Sequence, residues 1–224
     1  FTTTGRDIIV PNSKYVASYA GVYGVEKEII PREWFDEYID IEFENNKFSS
    51  MKLWDPYLKN HYGDYMKLLN VAVNAKYVHT NLALRYLDQL CRDLCATNLV
   101  EYSINDNILS VERDIILAKP NIIAFSCYIW NITKTLEICR FIKGNHNCKI
   151  VLGGPEVAYR SKDVLERYEF IDFVLSGEGE WTFPDFLDNI NGYLASVSGL
   201  TYRQNGGIIV VPEKEYTETP PSPY

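Results

Sequence analysis

Several things that define common protein classes are scarce or missing here. No uninterrupted apolar run reaches about 18 residues, so no segment is expected to span a membrane. No basic stretch leads into an apolar one, which removes a secretory signal from what the sequence shows. Because it starts at Phe1, an upstream segment stays open. Basic residues number 22 against 30 acidic ones, a net charge of −8, with no basic stripe to offset the acids. A nucleic-acid phosphate surface is thereby excluded. The five cysteines, Cys91, Cys95, Cys127, Cys139 and Cys148, are an odd set without framework spacing. They fit reduced core thiols in a cytoplasmic protein. Cys91 and Cys95 share one helix face, but no histidine or second cysteine pair completes a tetrahedral metal set. No G-x-G-x-x-G follows the first regular strand and no G-x-x-x-x-G-K-[ST] occurs, so dinucleotide and nucleoside-triphosphate readings lose their basis. Ser126 lacks a G-x-S-x-G elbow, which argues against hydrolase chemistry.

What is present changes character along the chain. Residues 1 to about 65 are rich in aromatic and acidic residues without clean periodicity. Short strands are expected at Ile8–Val10 and Ile39–Phe43, and a helix start at Asp55-Pro56, with Asp as N-cap and Pro at the first position. The segment holds too little aliphatic material for a convincing core of its own. From Met66 the pattern turns regular. Strands are expected at Lys67–Val73, Leu99–Ser103, Asn121–Cys127, Lys149–Leu152 and Ile171–Ser176. Helices are expected at Asn81–Thr97, Ile108–Ala118, Ile132–Lys143 (ended by Gly144), Lys162–Tyr168 and Trp181–Ile190. Right-handed crossovers between them imply an α/β fold, a flavodoxin-like doubly wound parallel sheet of five strands in the order 2-1-3-4-5. Leu200–Arg203 and Ile208–Val211, around Asn205-Gly206-Gly207, read as a C-terminal β-hairpin. Pro212–Tyr224 reads as a proline-rich linker. The expected domains are thus 1–65, 66–195 and 196–224.

In such sheets the ligand lies across the carboxyl ends of the strands, where the strand order reverses. Four loops meet there. They are Asn74-Ala75-Lys76-Tyr77-Val78-His79, Ser126-Cys127-Tyr128-Ile129-Trp130-Asn131, Gly153-Gly154-Pro155-Glu156 and Ser176-Gly177-Glu178-Gly179-Glu180. Glycines let backbone approach a ligand closely, but Gly153-Gly154 equally suits a tight turn. Glu178 and Glu180 equally suit the start of the last helix. His79 stands before a helix, where a capping or solvated role is the ordinary one. Asn131, directly after two aromatics, suggests the lip of a pocket.

These stretches, together with Leu82-Ala83-Leu84-Arg85-Tyr86-Leu87 after the first of them, resemble from Met66 to Tyr224 the N-terminal cobalamin-binding domain of cobalamin-dependent radical SAM proteins. The resemblance implies a module that binds cobalamin. Ser126 would bond the nucleotide tail, and Gly153 and Gly154 would let backbone pass close to it. The Ser176, Gly177, Glu178, Gly179 loop would line the far side. Tyr128, Ile129 and Trp130 would face the lower side of the corrin, with Asn74, Ala75, Tyr77, His79, Cys127, Asn131, Pro155 and Glu156 around them. Cobalamin mutases and methionine synthase carry D-x-H-x-x-G after the first strand, and here Lys76 stands where that histidine would be. An ammonium offers cobalt no lone pair, so a base-off cofactor without a protein histidine ligand is implied. No catalytic residue and no protein metal ligand is assigned. No C-x-x-x-C-x-x-C exists, so an iron–sulfur cluster and S-adenosylmethionine are expected only in an absent C-terminal radical SAM domain. The module is not catalytic alone; methyl transfer or related radical chemistry would belong to the full-length protein.

Residues 1 to about 67 resemble instead the C-terminal part of the bacterial choline-phosphotransferase (LicD-type) family. The matching text is Tyr23-Gly24, Glu28-Ile29-Ile30-Pro31, Glu33-Trp34-Phe35, Glu42-Phe43-Glu44, Tyr57-Leu58 and Tyr62-Gly63-Asp64-Tyr65-Met66-Lys67-Leu68. That family's metal-binding carboxylates lie upstream of this text. A remnant phosphocholine transferase, or a flavodoxin-like domain for another cofactor, are the alternatives to a cobalamin module.

Overall fold

The computed structural model describes residues 13–17, 29–43, 46–54, 56–58, 66–76 and 80–217. The expected strand at Ile8–Val10 and the Asp55 cap lie outside them, as do Tyr77 and His79. The chain divides into two compact units, residues 1–65 and 66–224.

In the first unit β1 (Tyr15–Ala17) pairs antiparallel with β2 (Ile29–Pro31), and β3 (Tyr38–Phe43) with β4 (Asn46–Met51). The second hairpin buries little: Tyr38, Ile39, Ile41 and Phe48 are all exposed. Among the described residues of this unit, Ile30 is the only buried hydrophobic side chain, as the poor aliphatic content leads one to expect.

The second unit is an α/β sandwich. Its strands are β5 (Lys67–Asn74), β6 (Ala96–Ser103), β7 (Ile122–Ser126), β8 (Lys149–Gly153), β9 (Phe173–Leu175), β10 (Leu200–Gln204) and β11 (Gly207–Val210). One seven-stranded sheet contains them all in the order β11-β10-β9-β8-β7-β5-β6. The first five run parallel, and β10 joins β9 antiparallel with β11 beyond it. The hairpin therefore extends the expected five-stranded sheet to seven strands, because Leu200 and Tyr202 bury against the β9 edge.

The helices are α1 (Leu82–Cys91), α2 (Ile108–Ala118), α3 (Ile132–Asn145), α4 (Pro155–Ala158), α5 (Ser161–Arg167) and α6 (Gly179–Asn189). On one face Val111, Ile115, Ile138, Ile142 and Leu165 of α2, α3 and α5 pack on Leu69, Val71, Ile123, Phe125, Ile150 and Leu152. Their alternation along each strand is the period-two signature of a sheet covered on both sides. On the other face lie α1 and α6, which touch each other. That face carries polar groups too: Asn70 is fully buried and donates to Asp88 Oδ1 at 3.3 Å, and Asp88 also accepts from Arg92 and Thr97.

Three departures from expectation have visible causes. The first helix stops at Cys91 rather than Thr97, because β6 pairs with β5 along its full length from Ala96 opposite Lys67. Sheet pairing there overrides the helical spacing. The third helix runs through Gly144 to Asn145 and stops at extended His146, whose ring nitrogen bonds Pro120 O at 2.7 Å. The tail is pinned as far as residue 217: Lys214 N donates to Ser198 Oγ at 2.7 Å, and Tyr216 stacks on Trp181 at 5.5 Å.

Candidate functional site

Alternation places Ala124 and Ser126 of β7, and Val151 and Gly153 of β8, on the sheet face shared with α1 and α6. Small side chains there leave a trough, which the two helices wall but do not fill. The result is a cleft of about 250 Å³ opening at the carboxyl ends of the strands. Ala83, Leu84 and Leu87 of α1 form one wall, and Gly179, Glu180, Thr182 and Phe183 of α6 the other. Tyr128, Pro155 and Gly177 stand at the rim.

Two adjacent glycines have different reasons for being glycine. Gly154 sits at φ 98° and ψ 168°, a conformation that side chains do not adopt, and a Cβ there would lie 2.6 Å from Cys127 O. Its identity is dictated by the fold: Cys127 N donates to Gly153 O at 2.7 Å, and Glu156 N to Cys127 O at 3.2 Å. Gly153 is different. A Cβ on it would meet nothing closer than Leu175 O at 3.8 Å. Protein packing does not require its bareness, and the space its side chain would take belongs to the cleft. Beside it the Ser126 hydroxyl, on a residue 8% exposed, makes no hydrogen bond with any described residue.

Of the residues expected from the sequence, Ser126, Tyr128, Gly153, Gly154, Pro155, Gly177 and Gly179 come together around this cleft. Others serve the framework. Asn131 is 1% exposed and donates to Val73 O at 3.0 Å and Ser126 O at 2.9 Å, while its Oδ1 accepts from Tyr128 N at 2.8 Å. It ties the tips of β5 and β7 rather than forming a lip. Cys127 is buried and meets Gly154 through its backbone; burial foremost, then the Glu156 charge, holds its thiol above the ordinary range. Ser176 Oγ donates to Ala158 O at 2.9 Å, and Glu156 pairs with Arg160. Glu178 begins α6 without a side-chain cap bond. Asn74 donates to Glu101 Oε2 at 2.8 Å; Ala75 is half-buried and Lys76 exposed.

Outside the cleft mouth, Tyr128 and Trp130 stack with ring centroids 4.5 Å apart and planes 5° from parallel, and Ile129 between them is 79% exposed. Such an apolar ledge at strand tips is a contact surface rather than a core. Among the described residues no group of histidine, cysteine, aspartate or glutamate is arranged to hold a metal ion. His146, the one described histidine, is bonded to Pro120 ahead of β7, at the opposite end of the sheet. The helical walls, Ala83, Leu84, Leu87, Thr182 and Phe183, were not among the expected site residues. Their spacing is that of any buried helix face, so spacing alone does not mark them as a cleft wall.

The sequence family described as B12 binding domain matches residues 69–187, the segment that contains all four strand-tip loops and both cleft walls. The chain is 35% identical over 72 residues to a 2-(S-pantetheinyl)-carbapenam-3-carboxylate methyltransferase of Streptantibioticus cattleyicolor, 32% of this chain and 11% of that protein. It is 29% identical over 116 residues to the cobalamin-dependent radical SAM methyltransferase TokK of Streptomyces tokunonensis, 48% of this chain and 17% of that protein. In fold it is similar to the cobalamin-dependent S-adenosylmethionine radical enzyme OxsB, with a TM-score of 0.60 and 17% identity. That match covers 79% of this chain and 26% of that one. The radical S-adenosylmethionine methyltransferase TsrM of Kitasatospora setae gives a TM-score of 0.56 at 17% identity, over 65% of this chain and 30% of that one. The chain thus spans less than a third of each of these relatives. The match begins at residue 69, so the choline-phosphotransferase resemblance of residues 1–67 rests on its sequence text alone. On the family match, the chain belongs to the B12-binding domain family.

Proposed function

We propose that residues 66–224 bind cobalamin base-off, with the nucleotide tail in the cleft between α1 and α6, on behalf of a radical SAM methyltransferase. The observation that carries this reading is Gly153. Its missing side chain keeps open a cleft that the fold has no packing reason to keep open, next to an unpaired Ser126 hydroxyl. Lining that cleft, Ser126 would hydrogen-bond the tail, and Leu84, Leu87, Leu175 and Phe183 would exclude water from it. Tyr128, Ile129 and Trp130 offer an apolar surface beneath a corrin ring. Lys76 stands where a cobalt-ligating histidine would, and His146 lies at the opposite end of the sheet, so among the described residues neither supplies an imidazole below the metal. When bound, cobalamin supplies a redox-active cobalt able to carry a methyl group. The cluster-binding cysteine motif is absent from the sequence, so cleavage of S-adenosylmethionine belongs to a separate domain.

The test is retention of hydroxocobalamin by the full chain through gel filtration, with flavin mononucleotide run in parallel. Stoichiometric retention of cobalamin and loss of flavin is the expected outcome. Retention of flavin alone would replace this reading with a flavodoxin-like one.

A further inference from the structure

Resting on the reading that the nucleotide tail enters this cleft, we infer that the cleft selects the chemical class of its lower base, taking a benzimidazole in preference to a purine. The deep wall is hydrocarbon: Leu84, Ala124, Val151, Leu175 and Phe183 are each nearly fully buried there. Polar side-chain groups are few. Thr182 Oγ1 already donates to Glu178 O at 3.2 Å. Glu180, in the first turn of α6, is half-exposed and stands with Gly177 and Gly179 at the open end. The buried part of the cleft therefore offers one uncommitted side-chain donor, the Ser126 hydroxyl, among the described residues, while Thr182 Oγ1 can only accept further.

A benzimidazole presents a hydrocarbon outer ring to such a wall. An adenine presents further ring nitrogens and an exocyclic amine at the same edge, all hydrogen-bonded in water. The one free donor satisfies a single ring nitrogen. The others lose water and gain nothing, which is the costly case for a buried polar group. The apolar floor thus favours the base with the fewest polar atoms without any residue that repels the other.

Equilibrium dialysis of the full chain against three corrinoids tests this: hydroxocobalamin, its adenine-based analogue, and cobinamide, which has no nucleotide tail. The adenine analogue is expected to bind roughly tenfold or more weakly than cobalamin, the effect of leaving one or two polar groups unpaired. Equal affinity for both bases, with cobinamide weak, would overturn the selectivity while leaving the cleft as the tail site. Cobinamide binding as tightly as cobalamin would overturn the placement of the tail, and the selectivity with it. Val151→Thr puts a hydroxyl on the cleft wall at nearly the same shape. It is expected to narrow the ratio between the two bases severalfold, and an unchanged ratio would count against the argument.

Discussion

Replacing Gly154 and Gly153 by alanine, one at a time, separates what the fold needs from what the cleft needs. At Gly154 the backbone lies at φ 98° and ψ 168°, a region open essentially to glycine alone, and holding alanine there costs about 1–3 kcal/mol. The new Cβ would also stand 2.6 Å from Cys127 O and 2.9 Å from Cys127 N. Neither atom is free to retreat, because Cys127 N is bonded to Gly153 O and Cys127 O to Glu156 N. Forced overpacking of this kind adds about 1–3 kcal/mol, for a total of roughly 2–6 kcal/mol. At Gly153 the nearest atom to a Cβ is 3.8 Å away and φ is not positive, so alanine is expected to leave stability within about 1 kcal/mol of the parent. Its methyl group would instead occupy the cleft, and cobalamin affinity should fall about tenfold or more, the consequence of a clash worth roughly 1.4 kcal/mol. Urea denaturation followed by circular dichroism reads the first effect as a shift in midpoint, and equilibrium dialysis reads the second. A Gly154→Ala midpoint equal to the parent's, or full cobalamin affinity in Gly153→Ala, would refute the reasoning.

Asn131→Ala removes the amide that joins the tips of β5 and β7 and leaves buried carbonyls without donors, so a loss of about 2–4 kcal/mol is expected in urea denaturation. Burial alone would raise the Glu101 carboxyl, but Thr80 Oγ1, Asn81 N, Asn74 Nδ2 and Arg85 outweigh it and hold that group below the ordinary carboxylate range. Its stabilisation is therefore complete above the unfolded pKa and is lost as pH falls through the lower folded one. Glu101→Gln should lower the urea midpoint at pH 7, with the difference from the parent shrinking below a pH of roughly 4. Glu112 has the opposite sign. Burial first, then the nearby charge of Glu137, raises its carboxyl, so the fold loses stability as pH rises through the window between the unfolded and folded values. Glu112→Gln should raise the thermal midpoint at pH 7, and the gain should vanish below the ordinary carboxylate range.

Much of the second unit was legible because its strands are short apolar runs that end in glycine, asparagine or serine, and each helix has a three-to-four spacing. Helix Ile108–Ala118 falls at its expected residues, with Asn107 as its cap. The errors share a cause. Thr97 carried on a helical rhythm but went to β6, and Leu200–Gln204 joined the sheet beside β9, because pairing partners distant in sequence decide strands. That the strand-tip glycines and Ser126 come together was legible, since the strand pattern puts them at the ends of adjacent parallel strands, and they line one cleft. Asn131 and Ser176 bond backbone carbonyls, which the sequence did not foretell: a buried polar side chain looks the same in sequence whether it faces a ligand or a carbonyl. Spacing alone did not mark the helical walls, since Leu84 and Phe183 facing a cleft read as Leu84 and Phe183 facing a core.

The most direct test is the visible spectrum of hydroxocobalamin bound to the full chain after free cofactor is removed. The account expects about one cobalamin per chain with a base-off spectrum, because a lower base held in the cleft beside Ser126 has left the cobalt. A bound cofactor whose spectrum matches that of free base-on hydroxocobalamin, or colour that washes out entirely, would contradict it.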